Sequence, residues 1–143
     1  QGATSPEIQA LKKAVADNPQ DTDAVYKLGN AYQEAKNWNG AILTWQKMSG
    51  LLPDWAPAYY SLGYAYQQAG NNELAMMSYE KYISKVKPEE LEANKKTLSY
   101  AYFAIAYLVK GKEVVKAKEY VAKSVQLDPT YQDAVKLNAE LNK

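Results

Sequence analysis

At 143 residues the chain fits one domain, a size at which roughly 70% of the unfolded surface is buried on folding. Lysine supplies all 17 positive charges against 16 acids, and a net charge of +1 excludes a general pull toward nucleic acid. The absence of cysteine and histidine excludes disulfides, thiolate or imidazole metal sites and the usual general base and thiol nucleophile, and no run of about 18 apolar residues is present to span a membrane.

The first predicted element is a helix over 5–18. Ser5 offers a capping hydroxyl, Pro6 suits the first turn, Glu7 suits the positive end of the helix dipole, and Asn18-Pro19 ends the segment. A helix pair follows over 22–35 and 38–50, with Asn37 and Asn39-Gly40 marking its turn and Pro53-Asp54 closing the unit. The next pair runs over 56–69 and 72–86, broken by Gly70-Asn71. A third pair begins at Pro88. Proline and the three glutamates Glu89, Glu90 and Glu92 suit a helix start, so one long helix is predicted over 88–110, and its Glu92 and Lys96 stand four apart as an exposed ion pair would. Gly111 takes the turn, and Ala117, Val121 and Pro129 complete the unit with Ser124 in the seat of the bulkier Tyr82. Beyond Thr130, Tyr131, Ala134, Leu137 and Leu141 form a one-sided stripe at helical spacing, while Asn138 falls where a repeat would place Leu28. That polar seat has no following helix to meet, so the last element reads as a cap.

The pairs repeat with a step of 34. Leu28-Gly29 and Tyr32 return as Leu62-Gly63 and Tyr66, Ala41 as Ala75, and Trp45 as Tyr79. Leu11, Ala14 and Pro19 lie the same step before Trp45, Met48 and Pro53. The third pair departs: Leu62-Gly63 and Tyr66 correspond to Phe103-Ala104 and Tyr107, a step of 41, so seven extra residues precede it, near 88–94. Ala75 to Ala117 is a step of 42, so the turn gains one more. A 34-residue period carrying Leu-Gly-x-x-Tyr, then Ala, an aromatic and Pro, resembles the tetratricopeptide repeat family from about Ser5 onward. The resemblance implies an all-α, right-handed helix-turn-helix solenoid. Within 1–143 it comprises an orphan helix over 5–18, repeats over 22–53, 56–87 and 88–128, and a capping helix over 130–142. Units of this kind bury their apolar faces only by stacking, and they leave an extended surface for partners.

For the recurring residues packing is explanation enough. Gly29, Gly63 and Ala104 are predicted to permit close helix approach, and Ala41, Ala75 and Ala117 to receive a large facing residue. A different set recurs on the other side of each first helix. Asp23, Tyr26, Asn30, Gln33 and Glu34 are matched by Pro57, Tyr60, Tyr64, Gln67 and Gln68, then by Leu98, Ala101, Ile105, Leu108 and Val109. In similar proteins these positions line a concave groove that holds a peptide. The expected groove here comprises Tyr26, Asn30, Gln33, Tyr60, Tyr64, Gln67, Gln68 and Ile105, with Leu108 and Val109 read as core. Tyrosine brings a flat ring and a hydroxyl at low side-chain entropy, which suits an interface anchor.

One branch of the resembling family grips acidic chaperone tails with lysines, asparagines and an arginine. Asn30 matches one of those asparagines, but Tyr26, Ser61, Leu98 and Tyr102 stand where the other donors would be, so the converging charge-assisted contacts are missing. Ser78-Tyr79-Glu80-Lys81 spells a Ser-x-x-Lys pattern, yet it lies mid-helix without the partner motifs of acyl-transfer enzymes. The sequence therefore predicts a non-enzymatic scaffold that binds another protein or peptide, with no cofactor, nucleic acid or membrane insertion. The alternative is self-association as a structural part of a larger assembly. Residues 1–80 hold five Lys against eight acids and residues 81–143 twelve against eight, which places Lys110, Lys112, Lys116, Lys118 and Lys123 on a basic half. The Gln1-Gly2-Ala3 start fits a trimmed chain in the cytoplasm or a mature periplasmic or secreted form left after signal removal.

Overall fold

Side-chain caps set the helix starts. In the computed structural model, which describes residues 5–143, Ser5 accepts the Ile8 N–H at 3.1 Å and opens α1 (Pro6–Asp17). Asp21 accepts the Asp23 and Ala24 N–H groups and opens α2 (Thr22–Glu34). Asn37 accepts the Gly40 N–H and opens α3 (Trp38–Leu51). Asn71, one repeat later, accepts the Leu74 N–H and opens α5 (Asn72–Lys85). Between them α4 (Ala56–Gln68) starts at a proline turn. The remaining α-helices are α6 (Lys95–Val109), α7 (Val114–Leu127) and α8 (Gln132–Leu141). All regular structure among the described residues is helical, and the Gln1-Gly2-Ala3 start lies outside them.

The chain forms two compact units, Gln1–Ala75 and Met76–Lys143. In the first, α1 lays Ile8, with Leu11 and Val15, against Leu28 and Ala31 of α2. Val25, Trp45, Met48, Ala58 and Leu62 form the adjoining core of α2, α3 and α4. The close approach at Gly29 is to a side chain: a Cβ there would lie 2.7 Å from the Trp45 indole. Gly40 is similarly occupied by the Tyr32 ring at 2.7 Å. Two reversals close the repeats in the same way. The Asn37 N–H reaches the Tyr32 carbonyl and the Asn71 N–H the Tyr66 carbonyl, each at 2.9 Å, with Lys36 at φ 57° and Gly70 at φ 85° in the left-handed position.

In the second unit, Ala106 and Val109 of α6, Ala117 and Val121 of α7, and Ala134 and Leu137 of α8 share a core with Phe103 and Tyr131 at its margin. Ser99 and Ser124, both fully buried, exchange bonds across α6 and α7: each hydroxyl donates to the other's backbone carbonyl, at 2.8 and 2.7 Å. Ser124 thus fills the seat that the bulkier Tyr82 holds one repeat earlier with a small residue whose hydroxyl is satisfied. The third reversal is also different. Lys112 and Glu113 N–H groups both return to the Val109 carbonyl, and Gly111 is not left-handed.

The seven extra residues do not lengthen α6, contrary to the single helix expected over 88–110. They fold as two 3₁₀ turns, Pro88–Glu90 and Glu92–Asn94. Asn94, at φ −112° and ψ 14°, leaves the helical basin, and its side-chain amide donates to the Glu90 carbonyl at 2.8 Å. The Glu90 carboxylate accepts the Lys87 N–H at 3.1 Å. Short polar side chains that bond nearby backbone compete with helix continuation, and here they win. The buried Tyr82 hydroxyl pins the break by contacting Thr97 and Asn94. The ion pair that forms is Lys95–Glu92, three residues apart at 3.1 Å.

Candidate functional site

The inner faces of α2 and α4 bring part of the expected groove together. Asn30 and Gln33 of α2 and Tyr64 and Gln68 of α4 line one cleft of about 450 Å³ in the first unit. That volume lies within the range of small ligand sites. Helical spacing explains the grouping, because residues three and four apart share a face. Glu34 at the end of α2, Lys36 in the turn that follows and Trp38 at the start of α3 complete the lining. Trp38 and Tyr64 meet edge to face, with ring centroids 5.7 Å apart at 74°. Gln33 Oε1 is buried and has no hydrogen-bond partner among the described residues.

The other expected residues lie elsewhere. Tyr26 sets its ring against Trp45 at 5.9 Å and Trp55 at 5.7 Å, and remains 41% exposed. Tyr60 and Gln67 are half-buried and do not line the cleft. Ile105 requires correction: it is fully buried, as are its neighbours Leu98 and Ala101 on the same face of α6, so it is core rather than groove. An aliphatic side chain gains too much by leaving water to stay exposed where packing is available. Trp38 is the cleft residue that sequence reasoning missed. It holds the place that Asn72 holds one repeat later, and an aromatic replacing a polar helix-start residue was the available signal.

The basic half of the chain is more internally engaged than its charge suggests. Lys116 pairs with Glu80 at 2.7 Å, and this bond raises its pKa above the ordinary value. Lys110, Lys116 and Lys123 lie over the rings of Tyr107, Tyr120 and Tyr102 at 4.4, 5.4 and 5.6 Å. Beside them Val114 and the 80% exposed Val115 border a broad depression at the start of α7. Among the described residues no helix is long and apolar enough to cross a membrane.

Residues 8–63 and 56–84 match two models of the tetratricopeptide repeat. No curated protein matches the sequence. Among solved structures the chain is similar to the MamA protein, with a TM-score of 0.79 and 24% identity over 94% of this chain and 69% of that one. It is also similar to the C-terminal part of a TPR repeat-containing protein from Cytophaga hutchinsonii, with a TM-score of 0.79 and 28% identity over 91% of this chain and 52% of that one. A third is the first TPR of Spaghetti (RPAP3) bound to the HSP90 peptide SRMEEVD, with a TM-score of 0.65 and 15% identity over 86% of this chain and 91% of that one.

Proposed function

The chain belongs to the tetratricopeptide repeat family, and we propose that it is a protein-interaction module whose first unit holds a segment of another polypeptide in the cleft between α2 and α4. The observation that carries this reading is the convergence of Asn30, Gln33, Tyr64 and Gln68 with Trp38 on one accessible cleft. Carboxamides match the donors and acceptors of a peptide backbone, and the two rings offer apolar area at low entropic cost. The peptide held by the similar Spaghetti domain supports a polypeptide as the ligand class. It does not extend to the acidic tail itself, because Lys36 is the only cation in the cleft lining.

The test uses a peptide selected by the chain from a displayed random library. Replacing Trp38 and Tyr64 together with alanine should weaken that peptide by more than about 2 kcal/mol, as for aromatic anchors at interfaces. Thermal melts on the same variant should show the fold retained. Unchanged affinity in a folded variant rules the cleft out.

A second reading, self-association, draws on an exposed apolar residue in each unit, Leu43 at 68% in the first and Val115 at 80% in the second. Light scattering across a concentration series decides it: a chain that stays monomeric excludes this reading.

A further inference from the structure

One acceptor among the residues that line the cleft of the first unit lacks a donor. Gln33 lines it, and the Gln33 Oε1 is shielded from solvent without a donor from any described residue, a condition that is costly for an acceptor. Glu34 also lines the cleft and enters no ion pair among the described residues. Glu34 and Gln68 are the last residues of α2 and α4, so the negative ends of two helix dipoles reach the same place. Trp38 and Tyr64 add aromatic rings, which attract cations. Against these stands the single exposed cation Lys36. The surrounding segment, residues 5–75, carries five Lys against seven acids.

We propose that this cleft receives an arginine side chain of the partner polypeptide. The guanidinium donates to the Glu34 carboxylate and, once the Gln33 side chain turns its shielded Oε1 toward the cleft, to that oxygen, while its plane stacks on Trp38. A planar fork of five donors serves two acceptors and a ring face at once, which an ammonium does less well. The inference rests on the polypeptide reading above and names the group that reading leaves unspecified.

The experiment titrates the isotopically labelled full chain by NMR with N-acetyl-arginine methylamide and with the citrulline, lysine and glutamate counterparts. The arginine probe should shift the Gln33 side-chain amide and the Trp38 indole N–H saturably. The neutral citrulline probe should bind about tenfold more weakly, the loss expected when charge-assisted bonds become neutral ones. Glu34→Gln should reduce arginine binding severalfold with an unchanged melting temperature, and should leave the citrulline affinity nearly untouched. Equal binding of citrulline or lysine overturns the proposal, as does preferential binding of the glutamate probe. If no amino-acid probe gives saturable shifts while the library-selected peptide still binds at Trp38 and Tyr64, the arginine assignment falls and the polypeptide reading stands. If neither binds, both fall.

Discussion

The inner face of α2 and α4 and the inner face of α6 occupy equivalent places in their repeats, and the two units use them in opposite ways. Asn30 and Tyr64 stay half-exposed, whereas their counterpart Ile105 is sealed. Tyr26 is 41% exposed and its counterpart Ala101 fully buried; Asp23 and Pro57 face solvent and their counterpart Leu98 does not. The period assigns a seat, and the chemistry of its occupant decides whether that seat is surface or core. Burying an aliphatic side chain is worth about 1.5 to 3 kcal/mol, enough to convert an exposed helix face into packing when several such residues adjoin. The first unit therefore leaves this face exposed, and the second buries the equivalent face for its own stability.

The largest effect expected from this contrast is at a buried seat that both units fill differently. Gly29 sits under the Trp45 indole, and the equivalent seats in the second unit hold Ala104 and Val121, both fully buried. A smaller facing residue leaves room for a methyl group. Gly29→Ala forces a Cβ to within 2.7 Å of an indole that is only 1% exposed, so overpacking should cost about 1 to 3 kcal/mol, of which alanine's better helix propensity offsets about 1 kcal/mol. Ala104→Gly should cost about 1 kcal/mol, mainly through helix propensity. Urea melts of both variants measure the difference. A Gly29→Ala that stabilises by the full helix-propensity gain of about 1 kcal/mol would mean that the indole has freedom to move and that volume compensation does not explain the pair.

The fold was legible because its determinants are local and periodic. Caps at Ser5 and Asn37, breaks at Pro19 and Gly70-Asn71, and the step of 34 mark the helices that form. The insertion was countable, but its conformation was not, since Asn94 looks acceptable in a helix until Glu90 and Tyr82 are in reach of it. At the candidate site Asn30, Gln33, Tyr64 and Gln68 are together because they share helix faces. Trp38 escaped because it comes from the following helix, and its contact with Tyr64, 26 residues on, has no sequence periodicity to announce it. Ile105 shares the groove register by repeat position, but whether an apolar residue in that seat faces a partner or the core depends on packing that the period does not encode.

A smaller effect is expected at the reversals of the first unit, where identical backbone bonds are made by different residues. Lys36 carries a side chain into the left-handed region that Gly70 enters freely. That conformation costs a non-glycine residue about 1 to 2 kcal/mol. Lys36→Gly should therefore stabilise the protein by up to about 1 kcal/mol, after allowance for glycine's greater freedom in the unfolded chain. Gly70→Ala should destabilise it by a similar amount through the backbone alone, because nothing lies within 4 Å of the added Cβ. Paired thermal melts check both signs. If Lys36→Gly is destabilising, contacts of the lysine stem outweigh its backbone strain.

The smallest effect is confined to the second unit and to alkaline pH. Tyr131 lies against Phe103 and Tyr100 with ring centroids 5.2 and 6.2 Å apart, and burial, followed by the charges of Tyr100 and Asp133, pushes its pKa from 10.0 up to about 12. Burial likewise raises the pKa of Tyr82, the residue that pins the insertion. In both cases the folded state favours the neutral phenol. The contribution of Tyr131 is therefore complete below pH 10 and is lost as the pH rises toward 12, and that of Tyr82 is lost in the same direction as the pH climbs through its raised pKa, because the unfolded chain ionises first. Amide protection in α6, α7 and α8 should fall across that window. Tyr131→Phe keeps the ring packing and removes the ionisable hydroxyl, so it should flatten the decline while leaving protection at neutral pH nearly unchanged. An equally steep decline in that variant would assign the alkaline loss to other groups, and would leave Tyr131 as a packing residue whose hydroxyl has no bearing on stability.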